Sequence, residues 1–191
     1  MPVNLIEYSF SKEVIKMREL IGPDGISGMV RVLAGRIDDD CAGRPVVLIG
    51  VLKGAFVFMA DLSRTMKTPL EVDFICASSY GDACVSSGKV SITKDLDHDI
   101  RDRDVIIVDD IVDTGLTLNA VMAHVGGKGP KSIRVCALLN KPSRRKAECH
   151  IDYVGMDVPD GFIVGYGLDF GGRFRNLTGL HELSGEETEV K

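Results

Sequence analysis

Residues 105–117 read Val-Ile-Ile-Val-Asp-Asp-Ile-Val-Asp-Thr-Gly-Leu-Thr. An apolar run delivers two adjacent carboxylates, Asp109 and Asp110. A third, Asp113, follows, and Thr114-Gly115-Leu116-Thr117 opens the next segment. Each part has a chemical use. Amides in the first turn of a helix lack intrahelical partners and sit at the positive end of its dipole, so they bind phosphate. Thr114 and Thr117 add hydroxyl donors, and Gly115 lets the backbone approach a ligand closely. Paired carboxylates hold ribose hydroxyls or a hydrated magnesium ion. Helix capping accounts for Asp113 or Thr114. It does not account for two like charges side by side at the end of an apolar strand, where they repel one another.

Other segments carry weaker signals. Leu52-Lys53-Gly54 ends an apolar run and, alone, reads as a turn. Ser79-Tyr80-Gly81 begins a small, polar stretch with the composition of a loop. Lys141 follows the apolar run 133–139, and Gly161-Phe162-Ile163, Asp169 and Arg175 come later. Alone, Phe162 reads as core, Asp169 as a turn residue and Arg175 as a surface charge. The basic run Arg144-Arg145-Lys146 reads as a solvated surface. No Gly-x-x-x-x-Gly-Lys-Ser/Thr loop occurs, and no Gly-x-Gly-x-x-Gly opens a helix. Nucleotide hydrolysis and dinucleotide binding therefore lose support.

The elements that must position these residues follow from periodicity. Helical spacing covers 11–20, 25–40, 56–66 and 114–125. Strands are expected at 45–52, 71–77, 90–93, 104–108, 133–139, 151–155 and 162–168. Strands alternating with helices imply an α/β protein with a mostly parallel sheet flanked by helices. The unbroken apolar character of 46–51 and 105–108 means burial on both faces. Ligands of such sheets bind beyond the carboxyl ends of the strands, where the residues above lie. The chain of 191 residues reads as one domain spanning 1–191, with a frayed polar tail from Ser184.

Composition narrows the class further. The net charge of −5 gives no bulk case for nucleic-acid binding. No apolar run approaches the ~20 residues of a membrane helix. Five cysteines without a Cys-x-x-Cys pair suit reduced thiols and a cytoplasmic protein.

The segment 105–117 resembles the phosphoribosyl diphosphate signature of the type I phosphoribosyltransferases. With the other segments taken in order, about 46–177 is similar to the hypoxanthine-guanine members of that family. The resemblance implies a twisted sheet with a small hood formed by the terminal segments. It implies a Mg2+-dependent transfer of phosphoribose to hypoxanthine or guanine, and assembly as a homodimer or homotetramer. Residues Asp109, Asp110, Ile111, Val112, Asp113, Thr114, Gly115, Leu116 and Thr117 would bind the phosphoribosyl group, with Asp113 as general base. Leu52, Lys53, Gly54 and Arg175 would hold pyrophosphate, with a cis peptide at Leu52-Lys53. Ser79, Tyr80 and Gly81 would start a mobile loop. Lys141, Gly161, Phe162, Ile163 and Asp169 would frame the purine, and Asp109, Asp110 and Asp169 would serve the metal. Asp109 stands where glutamate is common, and Leu116 where a longer or basic residue is common. A xanthine-preferring transferase, an RNA-binding regulator on the same fold and a non-catalytic nucleotide sensor are the alternatives.

Overall fold

A computed structural model describes residues 5–10, 13–79 and 90–183. Six strands form the main sheet: β3 (Val46–Leu52), β4 (Leu70–Ser79), β5 (Val90–Lys94), β6 (Asp104–Val112), β7 (Ser132–Asn140) and β8 (Tyr153–Asp157). Their order is β5-β4-β3-β6-β7-β8, parallel throughout except for the antiparallel edge strand β5. Alternate residues of β3 and β6 face opposite layers. Leu48, Ile106 and Val108 pack on α1 (Pro23–Cys41) and α2 (Phe56–Thr65), through Ile26, Leu33, Phe58 and Leu62. Val47, Ile49, Val105 and Ile107 pack on α3 (Leu116–Gly126), through Leu118, Val121 and Val125. Burial on both sides is why these strands read as continuous apolar runs.

A second sheet has the order β1-β2-β10-β9, from β1 (Leu5–Phe10), β2 (Glu13–Ile21), β9 (Ile163–Val164) and β10 (Leu180–Leu183). It is the expected hood, drawn from both ends of the described chain. Here the structure corrects the helix expected at 11–20: residues 13–21 are strand. Ile15 and Met17 are buried while Lys16 and Arg18 are exposed, a period of two that a short window confuses with one face of a helix. The strand expected at 162–168 is also shorter. Only Ile163 and Val164 pair with β10; the backbone then turns through Gly165, Tyr166 and Gly167, all with positive φ. β10 itself was not foreseen. The tail from Ser184 lies outside the described residues.

Buried polar residues separate scaffold from site. Asp73 in β4 is 3% exposed, and it accepts hydrogen bonds from the amides of Phe74, Asp97 and His98 at 2.7, 2.9 and 3.0 Å. Burial pushes its carboxyl up, but those amides outweigh burial and hold it below the usual carboxylate range. This carboxylate is satisfied, and it fixes the connection into β6. Asp109 and Lys141 are equally buried, and both lie at carboxyl ends of the sheet.

Candidate active site

β6 runs four residues further than its apolar core, to Val112, so Asp109 and Asp110 sit within the strand as it leaves the sheet. Burial first, then the charge of Asp110, pushes the Asp109 carboxyl well above its ordinary range. Burial raises Asp110 as well. The contrast with Asp73 is in the partners. The nearest amide donor to Asp109 is that of Asp110, at 3.1 Å. Asp110 has the Ile111 amide and the charge of Arg175 beside it, whereas Asp109 is left buried and raised, and a buried pair so perturbed in a cleft is a candidate ligand site.

Gly54 lies directly over them. A Cβ on this residue would come within 1.7 Å of Asp110 Oδ2. The Leu52–Lys53 peptide bond is cis, as the resemblance implied, and it turns Lys53 and Gly54 across the strand ends. The backbone of this loop is also wedged from behind, because a Cβ on Gly167 would lie 2.2 Å from the Gly54 carbonyl oxygen.

After β6 the chain turns through Asp113, Thr114 and Gly115. Gly115 has φ 81°, a left-handed conformation, and α3 begins one residue later, at Leu116. The sequence had placed that start at Thr114. The Gly115 carbonyl accepts the first intrahelical bond, from the Asn119 amide. The amides of residues 116–118 therefore precede the ladder. Ile111 and Val112 are ladder residues opposite Leu139 and Asn140; Val112 is buried, and its carbonyl accepts from the Lys141 amide.

A cleft of about 300 Å³ opens here, lined by Asp110, Ile111, Asp113, Lys141, Arg144, Phe162, Ile163, Leu168 and Asp169. Lys141 Nζ donates to the Gly161 carbonyl at 2.5 Å. Phe162 is 40% exposed, with its ring edge-to-face with Phe170, centroids 5.2 Å apart. The sequence made Phe162 alone look like core; its exposure instead leaves a ring face for a ligand. Asp113 Oδ1 is sheltered from solvent and accepts no hydrogen bond. Asp169 pairs with Arg175 at 2.6 Å and accepts from the Gly172 amide, while Arg175 also donates to the Gly167 carbonyl. Ser79 ends β4; Tyr80 and Gly81 lie outside the described residues.

The basic run expected to be a solvated surface is partly engaged. Arg144 lines the cleft, and Arg145 Nη1 donates to the Asp113 carbonyl at 3.1 Å. The amides of Lys146 and Ala147 both donate to the Thr114 carbonyl. Position was the signal available in the sequence: this run follows Lys141 at the end of a sheet strand, where ligands bind. A larger hollow of about 730 Å³, between α1, α2 and residues 175–178, is mostly apolar. Its Asp61 already accepts from Tyr166 and Arg64.

Fold and cleft together place a carboxylate pair, unladdered helix amides and a buried lysine at the carboxyl edge of a parallel sheet. Residues 25–171 match the family described as Phosphoribosyl transferase domain, and the chain belongs to that family. It is 47% identical over 152 residues to a hypoxanthine phosphoribosyltransferase of Salmonella typhimurium, covering 80% of this chain and 84% of that one. It is 47% identical over 158 residues to a hypoxanthine-guanine phosphoribosyltransferase of Bacillus subtilis, covering 83% and 88%. A solved hypoxanthine-guanine phosphoribosyltransferase from Bacillus anthracis superposes with a TM-score of 0.82 at 44% identity, covering 89% of this chain and 99% of that one. The protein is a transferase.

Proposed function

We propose that the protein moves the 5-phosphoribosyl group of phosphoribosyl diphosphate onto hypoxanthine or guanine, releasing pyrophosphate. The observation that carries this reading is one cleft lined by a buried lysine, an exposed aromatic ring and the Asp113 carboxylate. Lys141 donates to the purine 6-oxo group; an amino group there, as in adenine, offers only donors toward it and is rejected. Phe162 stacks on the ring, and the Ile163 backbone meets its edge. Gly161 holds the lysine through its carbonyl.

The phosphate of the sugar rests on the turn Asp113–Thr117 and the first amides of α3. Asp109 and Asp110 face the ribose hydroxyls. The purine N9 forms a bond to the anomeric carbon, whose bond to the pyrophosphate oxygen breaks; the electron pair leaves with pyrophosphate. The proton on N7 passes to Asp113, whose partly exposed carboxylate lines the cleft. Gly54, the Lys53 segment and Arg175 attend the leaving group.

A magnesium ion suits the donors present: hard carboxylate oxygens of Asp109 and Asp110, both strained by burial and mutual charge, with Asp169 across the cleft. Among the described residues no group of three or more His, Cys, Asp or Glu side chains is placed to hold a metal ion, and Asp109 and Asp110 are the residues that would hold one. When bound, it neutralises charge on the departing pyrophosphate.

The described cysteines are free thiols, which supports a cytoplasmic home, and no described helix is long and apolar enough to cross a membrane. Assembly as a homodimer or homotetramer belongs to the same proposal; Phe56, 43% exposed at the rim of the larger hollow, supports a covered face.

Turnover of a panel of bases with phosphoribosyl diphosphate and magnesium tests the reading. Hypoxanthine and guanine should react while adenine and uracil do not. Asp113→Asn should lower turnover by about 10²-fold or more while binding of the sugar diphosphate holds. Comparable use of adenine, or undiminished turnover after the Asp113→Asn substitution, would overturn it.

A further inference from the structure

We infer that Arg144 is a positioning residue for the transfer reaction: it aims the Asp113 carboxylate at the purine and ties that aim to the segment on which the purine stacks. The inference rests on the general-base role proposed for Asp113. Arg144 closes the 3-10 turn Pro142–Arg144, which begins directly after the buried Lys141. Its guanidinium faces two carboxylates. Nε lies 3.3 Å from Asp113 Oδ1, and Nη1 lies 3.4 Å from Asp160 Oδ1.

The first contact is with the oxygen that is sheltered from solvent and accepts no hydrogen bond. The guanidinium thus covers and holds the carboxylate by this oxygen, while the Asp113 side chain as a whole keeps 35% of its surface exposed and lines the cleft. The other carboxylate oxygen is left for a proton on the substrate. The second contact reaches Asp160, two residues before Phe162. One planar group thus spans the base and the purine-stacking segment. A planar fork with donors on separate edges can serve two carboxylates at once, whereas an ammonium group is a point charge.

The neighbouring residue has the complementary task. Arg145 donates to the Asp113 carbonyl at 3.1 Å and to the side chain of Asn140 at the end of β7. Arg145 shapes the turn, while Arg144 directs the side chain that leaves it. The Arg144 side chain is 49% exposed, and ion pairs that wet contribute little to folding. The effect of removing it belongs in turnover, not in melting temperature.

The test uses the full chain with hypoxanthine, phosphoribosyl diphosphate and magnesium. Arg144→Ala and Arg144→Lys are made in the parent and in the Asp113→Asn background. In the parent, R144A should lower kcat about tenfold, consistent with a misdirected rather than missing catalytic group. KM for the sugar diphosphate and the melting temperature should hold, and R144K should recover part of the loss. In the D113N background R144A should cost nothing further, because its effect runs through the carboxylate. An equal loss in both backgrounds, or an unchanged kcat in the parent, overturns the inference. A D113N enzyme as fast as the parent removes the base role and this inference together. A slow D113N beside a fast R144A removes only Arg144.

Discussion

Replacing Gly54 with alanine should cripple the enzyme through a single methyl group. The new Cβ would stand 1.7 Å from Asp110 Oδ2 and 2.4 Å from its Cγ. Real Cβ contacts stay above 3.0 Å, so the carboxylate must retreat by about 1.3 Å. The Gly54 loop also has little room on the side of Gly167, whose backbone passes so close that an added Cβ there would lie 2.2 Å from the Gly54 carbonyl oxygen. A misplacement near 1 Å at a reacting centre costs about 10²-fold, equivalent to about 2.7 kcal/mol of transition-state stabilisation. Steady-state kinetics with phosphoribosyl diphosphate varied at saturating hypoxanthine should show that loss in kcat/KM. The same substitution on an Asp110→Ala background should add almost nothing, because the clashing group is gone. The reasoning is refuted if G54A stays within threefold of the parent, or if its penalty persists in full without the Asp110 carboxylate.

Asp109→Asn should trade activity for stability. The folded state raises the Asp109 pKa, so its favourable contribution is complete below the unfolded value of about 3.9 and is lost as pH rises through the folded value. The variant should thus melt a few degrees above the parent at neutral pH, with the gap closing on acidification; a variant that melts lower at neutral pH would contradict this. Phe162→Ala should raise KM for the purine by about tenfold to a hundredfold, from a stacking term of about 1–3 kcal/mol. KM for the sugar diphosphate should stay put, and an equal rise in both constants would count against stacking.

What the sequence disclosed followed from how local each signal is. The strands β3 and β6 are buried on both faces, so their continuous apolar runs could be read directly, and the acidic pair stood out against them. The α1 pattern Ile26, Val30, Leu33 and Ile37 was equally plain. β2 was misread because Val14, Met17 and Ile21 fall at helical spacing while Ile15 and Met17 fall at strand spacing, so a window this short fits either period. β10 escaped because its partners, β2 and β9, are distant in sequence, and only the tertiary pairing gives it a reason to be extended. The site divides in the same way. Asp113, Lys141 and Phe162 were named through the resemblance that their motifs carry, and one cleft is lined by all three. Arg144 and Asp160 were not, because a charge in a basic run or a loop shows its purpose only when a carboxylate across the gap is known.

The hood interleaves early and late segments: β10, the last described strand to be made, pairs with β2 on one side and β9 on the other. During synthesis the main sheet can therefore be complete while β9, next to Phe162, still lacks its neighbour. A ribosome-bound intermediate arrested before residue 180 would lack the strand that joins β2 to β9.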